Sequence, residues 1–500
     1  MTLVSFAYGC FLLVTLIVYW GLGKLWPALR QWILLGASLA FYGLLQPQFV
    51  PLLLGLTVLN FFWGRLLGRL GQRGDRQRHL REVFRVWHWE PRYWLGLGIF
   101  LNLAVLFGFK YVAFTLRNLA VLWPGLGLGQ WAIATEENWL APIGISFFVF
   151  ECIAYLVDVY RGAPATSALV EFSAYKLFFP KLLSGPITRF HAFTGQTRRT
   201  AGLLFDEGVE GLWLIASGAV KKVLIADNLG VFVELCANNL ERAGSGDLWL
   251  FILAYGLQLY FDFSGYVDLA RGSALLLGIN LPENFDFPYF STSLADFWRR
   301  WHMSLGDWLR NYLYFPLGGS RRGLGRTCLN LFVVMLLAGL WHGAAWGYVI
   351  WGCLHGLGLA IHRLGDICAQ RWRSLQGFWV SIPGTLVAWL VTQGFVFLTW
   401  VPFRLPTGTQ ASLLFQHLWQ HQGDLQFAQK IYLEGLRLGR PDFVGLLIVL
   451  FIGMIGAYGV QRQWQLQLNW AVKVLLIPLC FYGVWLLAPE GNVPYIYFDF

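Results

Sequence analysis

The sequence has little charge. Asp, Glu, Lys and Arg make up 13% of its 500 residues, against about 25% in soluble domains. Hydrophobic residues make up 57%, and the mean hydropathy is +0.54. So few charges cannot cover so much apolar surface, which excludes the soluble globular class. Apolar runs of about 17–25 residues instead predict membrane-spanning helices, because lipid offers no hydrogen-bond partner to an unpaired backbone group.

Several functional signatures are also missing. The seven cysteines are scattered without a CxxC pair, so neither a disulfide framework nor a zinc site is predicted. No basic residue precedes the first apolar run, and a cleaved signal peptide is therefore not expected. The sequence has no phosphate-binding loop, no G-x-G-x-x-G opening a helix and no G-x-S-x-G nucleophile elbow. The sequence therefore carries none of these motifs of soluble nucleotide-binding enzymes or hydrolases.

The net charge of +10 comes from arginines and lysines clustered between apolar runs. That placement is typical of cytoplasmic loops, so membrane lipid is the expected partner and nucleic acid is not. The 26 tryptophans and 20 tyrosines suit the two membrane–water interfaces.

Twelve apolar runs predict an all-α polytopic membrane protein with about ten to twelve spans, plus re-entrant and interfacial helices. Without a sequence repeat or a Pro/Ser-rich linker, residues 1–500 are read as one membrane domain. The runs lie near 3–20, 31–45, 48–64, 94–115, 139–159, 208–236, 248–275, 328–341, 345–361, 379–400, 442–460 and 470–488.

Charge also predicts the topology. Lys24 and Arg30 follow the first run, which favours an outside N-terminus and places the arginine-rich segment 64–92 in the cytoplasm. Segment 178–190 contains Pro180 and Pro186, which break a helix, so it is predicted to re-enter the membrane and line a cavity. Counting spans places 162–200 and 280–327 inside, and 118–138 and 401–441 outside.

The stretch FWRRWHMSLGDWLRNYLYFPLGG (297–319) is unusually charged for this chain. A helical wheel of 297–312 predicts an interfacial helix on the cytoplasmic surface, with Asp296–Arg300 and Asp307–Arg310 at pairing distance. His302 falls at the edge of the apolar face and is expected to point toward protein or lipid. The apolar face, within about 100° of arc, holds Trp298, Trp301, Leu305, Trp308, Leu309 and Tyr312; the rest of the wheel holds Arg299, Arg300, Ser304, Asp307, Arg310 and Asn311.

A second histidine, His342, lies in an apolar run. From Arg326, sixteen helical residues reach it, a rise of about 24 Å into a hydrocarbon core of about 30 Å. Gly339 and Gly343 flank it and permit close approach of a neighbouring backbone. Intramembrane ionisable groups usually mark a pathway or a site, and a buried neutral imidazole can act as a base. The competing interpretation is a histidine that is merely packed.

Other polar residues are weaker candidates. Glu151 and Asp158 share a helix face, where they could line a polar path or pair with arginines. Asp262 lies in an apolar context, while Asp268 and Arg271 are spaced for a local ion pair. Packing or a solvated helix face, rather than a metal site, is expected for the pairs His355/His362 and His417/His421.

At these residues the chain resembles a known family. FWRRWHMSLGDWLRNYLYFPLGG followed by GLWHGAAWGYVIWGCLHG (339–356) strongly resembles the membrane-bound O-acyltransferase (MBOAT) family, and SGPITRF (184–190) and FDFSGYVDLARG (261–272) match further blocks. The resemblance covers about 140–365 well and the rest loosely. It implies a ring of helices around a thin centre, where a funnel from each side meets at histidines.

Carried over residue by residue, the resemblance makes His342 the principal catalytic histidine and His302 the second motif histidine. Acyl transfer to a hydroxyl needs a base for the proton and donors for the developing oxyanion; the sequence does not reveal those donors. The candidates for lining the substrate path are Trp301, Ser304, Trp341, Asn311, Ser184, Arg189, Asp262 and Glu151.

Within the family, the length, VPFRLPT (401–407) and the closing PYIYFDF resemble the membrane subunit of alginate and related polysaccharide O-acetyltransferases. That branch implies a multi-pass protein of the bacterial cytoplasmic membrane without a tightly bound cofactor. Its donor is acetyl-CoA or an acyl-carrier thioester on the cytoplasmic side, and its acceptor an exported polysaccharide or an exported partner acyltransferase. The alternatives are D-alanyl transfer to a cell-wall polymer, a transporter or channel without acyl chemistry, and a scaffold with packed histidines.

Overall fold

The structure, a computed structural model, describes residues 2–76, 90–197, 202–489 and 495–496. Each of the twelve apolar runs is mainly helical, and some, such as 94–115 and 379–400, are divided between two helices. Across the described ranges there is no strand, only one isolated antiparallel bridge between Phe285 and Trp301. The prediction of an all-α protein is therefore confirmed.

Eight helices in the described ranges are long and apolar enough to cross a membrane, fewer than the ten to twelve spans expected. The remaining runs form helices that are shorter, interrupted or more polar: Leu29–Leu45 has only 17 residues, and a π-helical segment interrupts the run at 208–236. The eight are Phe6–Leu25, Pro47–Gly71, Pro91–Lys110, Ser245–Leu276, Leu324–His342, Ile382–Arg404, Arg440–Gln463 and Trp470–Leu487.

The chain divides into two compact units, and the single membrane domain over 1–500 stays a prediction. One unit comprises Met1–Leu212 with Leu269–Pro282, and the other Trp213–Asp268 with Glu283–Phe500. The first ten α-helices of the described chain all belong to the first unit. They are α1 (Phe6–Leu25), α2 (Leu29–Leu45), α3 (Val50–Arg76), α4 (Pro91–Lys110), α5 (Val112–Leu122), α6 (Leu128–Asn138), α7 (Ile145–Tyr160), α8 (Leu169–Lys176), α9 (Phe179–Leu182) and α10 (Phe190–Thr197).

The later helices contain or flank the two motif histidines. They are α11 (Phe205–Ala219), α12 (Asn228–Ala237), α13 (Ser245–Leu276), α14 (Leu294–Arg300), α15 (Met303–Leu309), α16 (Leu324–His342), α17 (Trp346–Arg371), α18 (Arg373–Val380), α19 (Ile382–Arg404), α20 (Gly408–His417), α21 (Leu425–Ala428), α22 (Arg440–Tyr458) and α23 (Trp470–Leu487). His302 directly precedes α15, and His342 ends α16. Short π-helical segments follow α11, α15, α21 and α22 directly. The predicted cytoplasmic segment 64–92 is described only as the end of α3 and the start of α4; 77–89 lie outside the described residues.

Helices α16 and α17 pack backbone against backbone. A Cβ added at Gly339 would clash with the Tyr348 carbonyl oxygen, and one at Gly352 would lie 2.6 Å from the Met335 carbonyl oxygen. Gly343 leaves space in the same way for the Tyr348 ring. The close approach expected from the glycines beside His342 is thus present, and its partner is the next helix in the chain.

In the first unit, segment 178–190 is buried except at Arg189 and is mostly irregular, as its prolines predict. Protein groups satisfy its backbone: the Phe179 N–H donates to Ser38 Oγ at 3.1 Å, and the Thr188 N–H donates to Glu151 Oε1 at 3.1 Å. Such a segment can lie at membrane depth only with partners of this kind, and its re-entry into the membrane stays a prediction.

Glu151 anchors this segment through two buried lysines. Lys181 Nζ lies 2.5 Å from Glu151 Oε1 and Lys176 Nζ lies 3.2 Å from Oε2, with both lysine side chains 0–1% exposed. Thr188 Oγ1 donates to the same carboxylate at 3.1 Å. Glu151 therefore pairs with lysines rather than with the arginines suggested as partners.

Replacing Glu151 with glutamine should destabilise the protein by about 3–5 kcal/mol, because it leaves two buried ammonium groups without their counter-ion. Unfolding titrations in detergent micelles would measure the change. Asp158→Asn, at the half-buried carboxylate of the same helix, is the matched control and should cost less than about 1 kcal/mol. Equal stability of Glu151→Gln and the wild type would contradict this account.

The charged stretch 297–312 is not one helix. It divides into α14 and α15 at Trp301 and His302, because the bridge from Trp301 to Phe285 pulls the backbone into an extended conformation there. The local pairs are present, with Arg300 Nε 2.9 Å from Asp296 and Arg310 2.7 Å from Asp307.

The interfacial orientation of this stretch can be tested by cysteine labelling. We expect Arg300→Cys and Asp307→Cys to react with an impermeant maleimide only from the cytoplasmic side. The background should replace the exposed Cys10 and Cys368 with serine, and Glu137→Cys, predicted outside, should show the opposite pattern. Protection of positions 300 and 307, or labelling only from outside, would overturn the prediction.

Candidate active site

His302 occupies a turn between two short helices of the second unit. It stands immediately before α15 with φ 45° and ψ 52°, in the left-handed region that few residues other than glycine adopt. Holding a histidine there costs about 1–3 kcal/mol, and strain of this kind is concentrated at functional sites. The residue is 1% exposed, so it faces protein.

Asn284 holds this turn in place. The isolated antiparallel bridge beside it places Asn284 opposite His302. Its carbonyl oxygen accepts the Met303 N–H at 3.0 Å, and its Oδ1 accepts the Ser304 N–H at 2.9 Å. Asn284 was not predicted from the sequence, because one bridge between two loops leaves no periodic signal. The polar residues of PENFD (282–286) were the available signal.

The indole of Trp341 lies between the two motif histidines. Its ring centroid is 6.2 Å from that of His302 and 5.0 Å from that of His342. Phe263 of α13 packs edge-on against His302 at 4.7 Å. The fold thus brings two histidines that are distant in sequence into one aromatic cluster, as the resemblance implied.

His342 is the last residue of α16 and is 3% exposed. The helix is continuous from Leu324, so the long apolar rise predicted from Arg326 is present. Around the imidazole, Trp351 packs perpendicular to it at 5.2 Å and Phe403 packs at 5.0 Å. Aromatic rings on several sides keep water away from the histidine, and this strengthens any electrostatic interaction with a bound substrate.

A chain of hydrogen bonds borders this cluster and was not predicted. The Trp298 indole N–H donates to His355 Nδ1 at 3.3 Å. Because the Thr399 hydroxyl donates to the Val396 carbonyl oxygen at 2.8 Å, His355 Nε2–H donates to Thr399 Oγ1 at 2.9 Å. His355 therefore links α14, α17 and α19 as a packed, hydrogen-bonded histidine. The Trp351–His355 spacing of one helical turn was the signal available in the sequence.

The contacts of the other candidates on the charged stretch are mainly with the surrounding backbone and aromatic rings. Trp301 is 2% exposed and stacks on Phe297 at 5.5 Å. Ser304 contributes its backbone N–H to the Asn284 bond. Asn311 donates to the Asp307 carbonyl oxygen at 2.8 Å, a bond within one helix. Among the candidates for lining the path, Trp341 contacts both histidines directly.

Asp262 belongs to a buried ion cluster. Lys222 Nζ lies 2.6 Å from Asp262 and 2.6 Å from Asp227. The other Asp262 oxygen accepts the Ile496 N–H at 3.1 Å, and Tyr495 stacks on the ring of Tyr266. Two residues of the closing PYIYFDF are therefore placed against α13; the rest of that motif lies outside the described residues.

The remaining candidates belong to the first unit. Glu151 is committed to Lys176 and Lys181, and Ser184 is 1% exposed in the irregular segment. Arg189 is exposed at the start of α10. In the second unit, Asp268 forms an ion pair with Lys221 at 2.6 Å, and its pairing with Arg271 stays a prediction.

A comparison of sequences decides the family. Residues 89–395 match the profile of MBOAT, the membrane-bound O-acyltransferase family, which is more than half of the chain. The chain belongs to the membrane-bound O-acyltransferase family. It is therefore an O-acyltransferase, and its eight long apolar helices make it a multi-pass membrane protein. This assignment favours acyl chemistry over the transporter alternative.

Three kinds of enzyme are named among the proteins that this chain resembles. A probable alginate O-acetylase AlgI of Pseudomonas putida is 36% identical over 99% of this chain and 100% of its own length. A peptidoglycan O-acetyltransferase of Helicobacter pylori is 33% identical, covering 75% of this chain and 71% of its own. A teichoic acid D-alanyltransferase of Streptococcus thermophilus is 28% identical, covering 51% of this chain and 68% of its own.

Other histidines of this O-acyltransferase lie outside the cluster. His362 Nε2 is 3.5 Å from Asp366 on the same helix. His417 and His421 stack face to face at 3.8 Å, and His421 Nε2 lies 3.2 Å from the Glu241 carbonyl oxygen. In the described ranges, no group of three His, Cys, Asp or Glu residues is arranged for a metal ion.

Burial lowers the pKa of His302 to about 3, because charging an imidazole away from water is unfavourable. His302 is therefore neutral throughout the physiological range, with one nitrogen able to accept a proton or hydrogen bond. A neutral imidazole suits a residue that positions or polarises a substrate in this acyltransferase.

The low pKa of His302 predicts a dependence of stability on pH. Below about pH 6.5 the unfolded chain binds a proton at this histidine while the folded chain does not, so folding stability falls as the pH falls toward 3. Between pH 7 and pH 5 the wild type should lose about 2 kcal/mol more than His302→Gln. Unfolding titrations of both proteins at the two pH values measure this; parallel losses would contradict a buried, neutral His302.

Proposed function

We propose that this acyltransferase moves an acetyl group from a cytoplasmic thioester toward an exported polysaccharide. The donor is acetyl-CoA or an acyl-carrier thioester, and no tightly bound cofactor takes part. The acceptor is the polysaccharide itself or an exported partner acyltransferase that modifies it. The chain lies in the bacterial cytoplasmic membrane.

The extent of the alignments supports acetyl over D-alanyl transfer. The alginate O-acetylase relative aligns end to end, whereas the teichoic acid D-alanyltransferase aligns with about half of this chain and at lower identity. The peptidoglycan O-acetyltransferase also transfers to a glycan and aligns over three quarters of it. Sugar hydroxyls are therefore the favoured acceptors.

The pairing of His302 and His342 through Trp341 is the observation that carries the mechanism. His342 is the general base: it takes the proton of the attacking hydroxyl and returns it to the leaving thiolate. His302, neutral and held in a strained turn, positions the substrate across the Trp341 ring. The aromatic walls exclude water, which would otherwise hydrolyse the thioester.

Acyl transfer by the purified protein tests this assignment. With a labelled acetyl thioester and a soluble oligosaccharide acceptor, or the co-purifying exported partner, His342→Ala should lower the transfer rate about 10²–10⁴-fold, the usual contribution of a general base. His302→Ala should also reduce transfer, since it removes the group facing Trp341. His362→Ala, on the surface side of α17, is the matched control and should transfer at the wild-type rate.

Folding of each variant should be checked by its elution from a sizing column and its melting temperature. Wild-type transfer by a folded His342→Ala would remove the histidine from the mechanism. Release of free acetate without transfer to a hydroxyl would argue instead that this chain hands its acyl group only to a partner absent from the assay. Adding the co-purifying exported protein then distinguishes the two routes.

A further inference from the structure

A buried hydrogen-bond donor beside His342 lacks an acceptor. Trp351 is 1% exposed, and nothing in the described part of the chain accepts a hydrogen bond from its indole N–H. An unsatisfied buried donor costs free energy, and native folds rarely retain one without a reason. This residue belongs to α17, whose packing against α16 is fixed by backbone contacts, so the indole is held firmly.

Its neighbour on the same helix is fully satisfied. His355, one turn further along α17, accepts from the Trp298 indole N–H and donates to Thr399. The same cluster thus provides acceptors for one indole N–H and a partner for each imidazole nitrogen. The indole N–H of Trp400 also meets no acceptor in the described part of the chain, so the ring contact with His342 is what distinguishes Trp351.

The position of Trp351 suits a role in the reaction. Its ring meets that of His342 at 5.2 Å with an interplanar angle of 89°, so the edge of one ring addresses the face of the other. A carbonyl attacked by a hydroxyl that is hydrogen-bonded to His342 must lie within a few ångströms of this imidazole. The Trp351 indole is a ring of α17 in direct contact with this imidazole.

We propose that the Trp351 indole N–H is the oxyanion donor of the transfer reaction. The inference rests on the proposed function, with His342 as the base. The acceptor hydroxyl oxygen bonds to the thioester carbonyl carbon while its proton passes to His342, and the carbonyl π electrons move onto oxygen. Trp351 N–H donates to this oxyanion. When the C=O bond re-forms, the C–S bond breaks and the thiolate takes the proton from His342, leaving an ester and a thiol.

The test removes the donor while keeping the ring. Trp351→Phe, and replacement of Trp351 by 3-benzothienylalanine, whose sulfur takes the place of the N–H, should each lower kcat about 10²–10³-fold, the loss observed when an oxyanion donor is removed. KM for the thioester should change less than about threefold, because the bond forms in the transition state and not in the ground state. The benzothienyl variant decides the outcome if the phenylalanine variant does not fold.

Trp400→Phe is the matched control. Trp400 stacks nearly parallel to Trp351 at 5.9 Å, on α19, and its indole N–H is likewise buried without an acceptor in the described part of the chain. Its replacement makes the same change of volume in the same cluster and should leave kcat within about threefold, since it removes no donor from the carbonyl.

The activities of the variants distinguish the oxyanion role of Trp351 from the general-base role of His342. Wild-type kcat in a folded Trp351 variant, with His342→Ala inactive, overturns the oxyanion role and leaves the base in place. Equal losses in Trp351→Phe and Trp400→Phe, or a loss that follows the melting temperature, assign Trp351 to packing and also overturn it. Full activity of His342→Ala removes the base and the inference together.

Discussion

The close packing of α16 on α17 is the constraint on which the candidate site depends. Gly339 and Gly352 let the two backbones approach to a distance at which a Cβ would collide with a carbonyl oxygen. In lipid, where apolar side chains gain little from leaving one apolar solvent for another, such small-residue contacts hold helices together. Because α16 ends at His342 and α17 begins at Trp346, the same packing fixes His342 against Trp351. Larger residues at these glycines would push α16 and α17 apart and so separate the imidazole from the indole.

A second constraint acts on His302. Its left-handed backbone is maintained by Asn284, which accepts two successive N–H groups from the turn. Strain of this kind persists only where the surroundings determine it, and here a bridge, two hydrogen bonds and the Phe263 ring do so. The charged residues of the same stretch form local pairs at the ends of α14 and α15 instead. The charged residues therefore stabilise the two short helices, while the strained turn fixes the orientation of His302.

The apolar runs predicted most of the helices, although some runs, such as 94–115 and 208–236, are divided between two helices, and the helix ending at His342 is unbroken. Periodicity failed at 297–312, because a helical wheel assumes a continuous helix and has no knowledge of Phe285 approaching Trp301. The same limit hid Asn284. His342 was identified as a candidate because an ionisable residue in an apolar run is costly. His302 was identified because it lies at the edge of the apolar face of the helical wheel and matches the family motif. Their shared neighbour Trp341 could be named, but the packing of Trp351 and Phe403 around His342 depends on α17 and α19, which no local pattern relates.

The buried ion pairs and the buried histidines are suited to different roles. Glu151 holds two lysines in one unit, and Lys222 holds two aspartates in the other. A buried charge with a partner resists titration and movement, because losing the partner leaves an uncompensated ion. These clusters are therefore suited to fixing segments and poorly suited to exchanging protons with a substrate. Imidazoles carry no charge to compensate when buried and neutral, so His302 can remain within an aromatic cluster without a counter-ion. That difference is why the proposed function assigns proton transfer to histidine, although carboxylates and amines lie buried in the same chain.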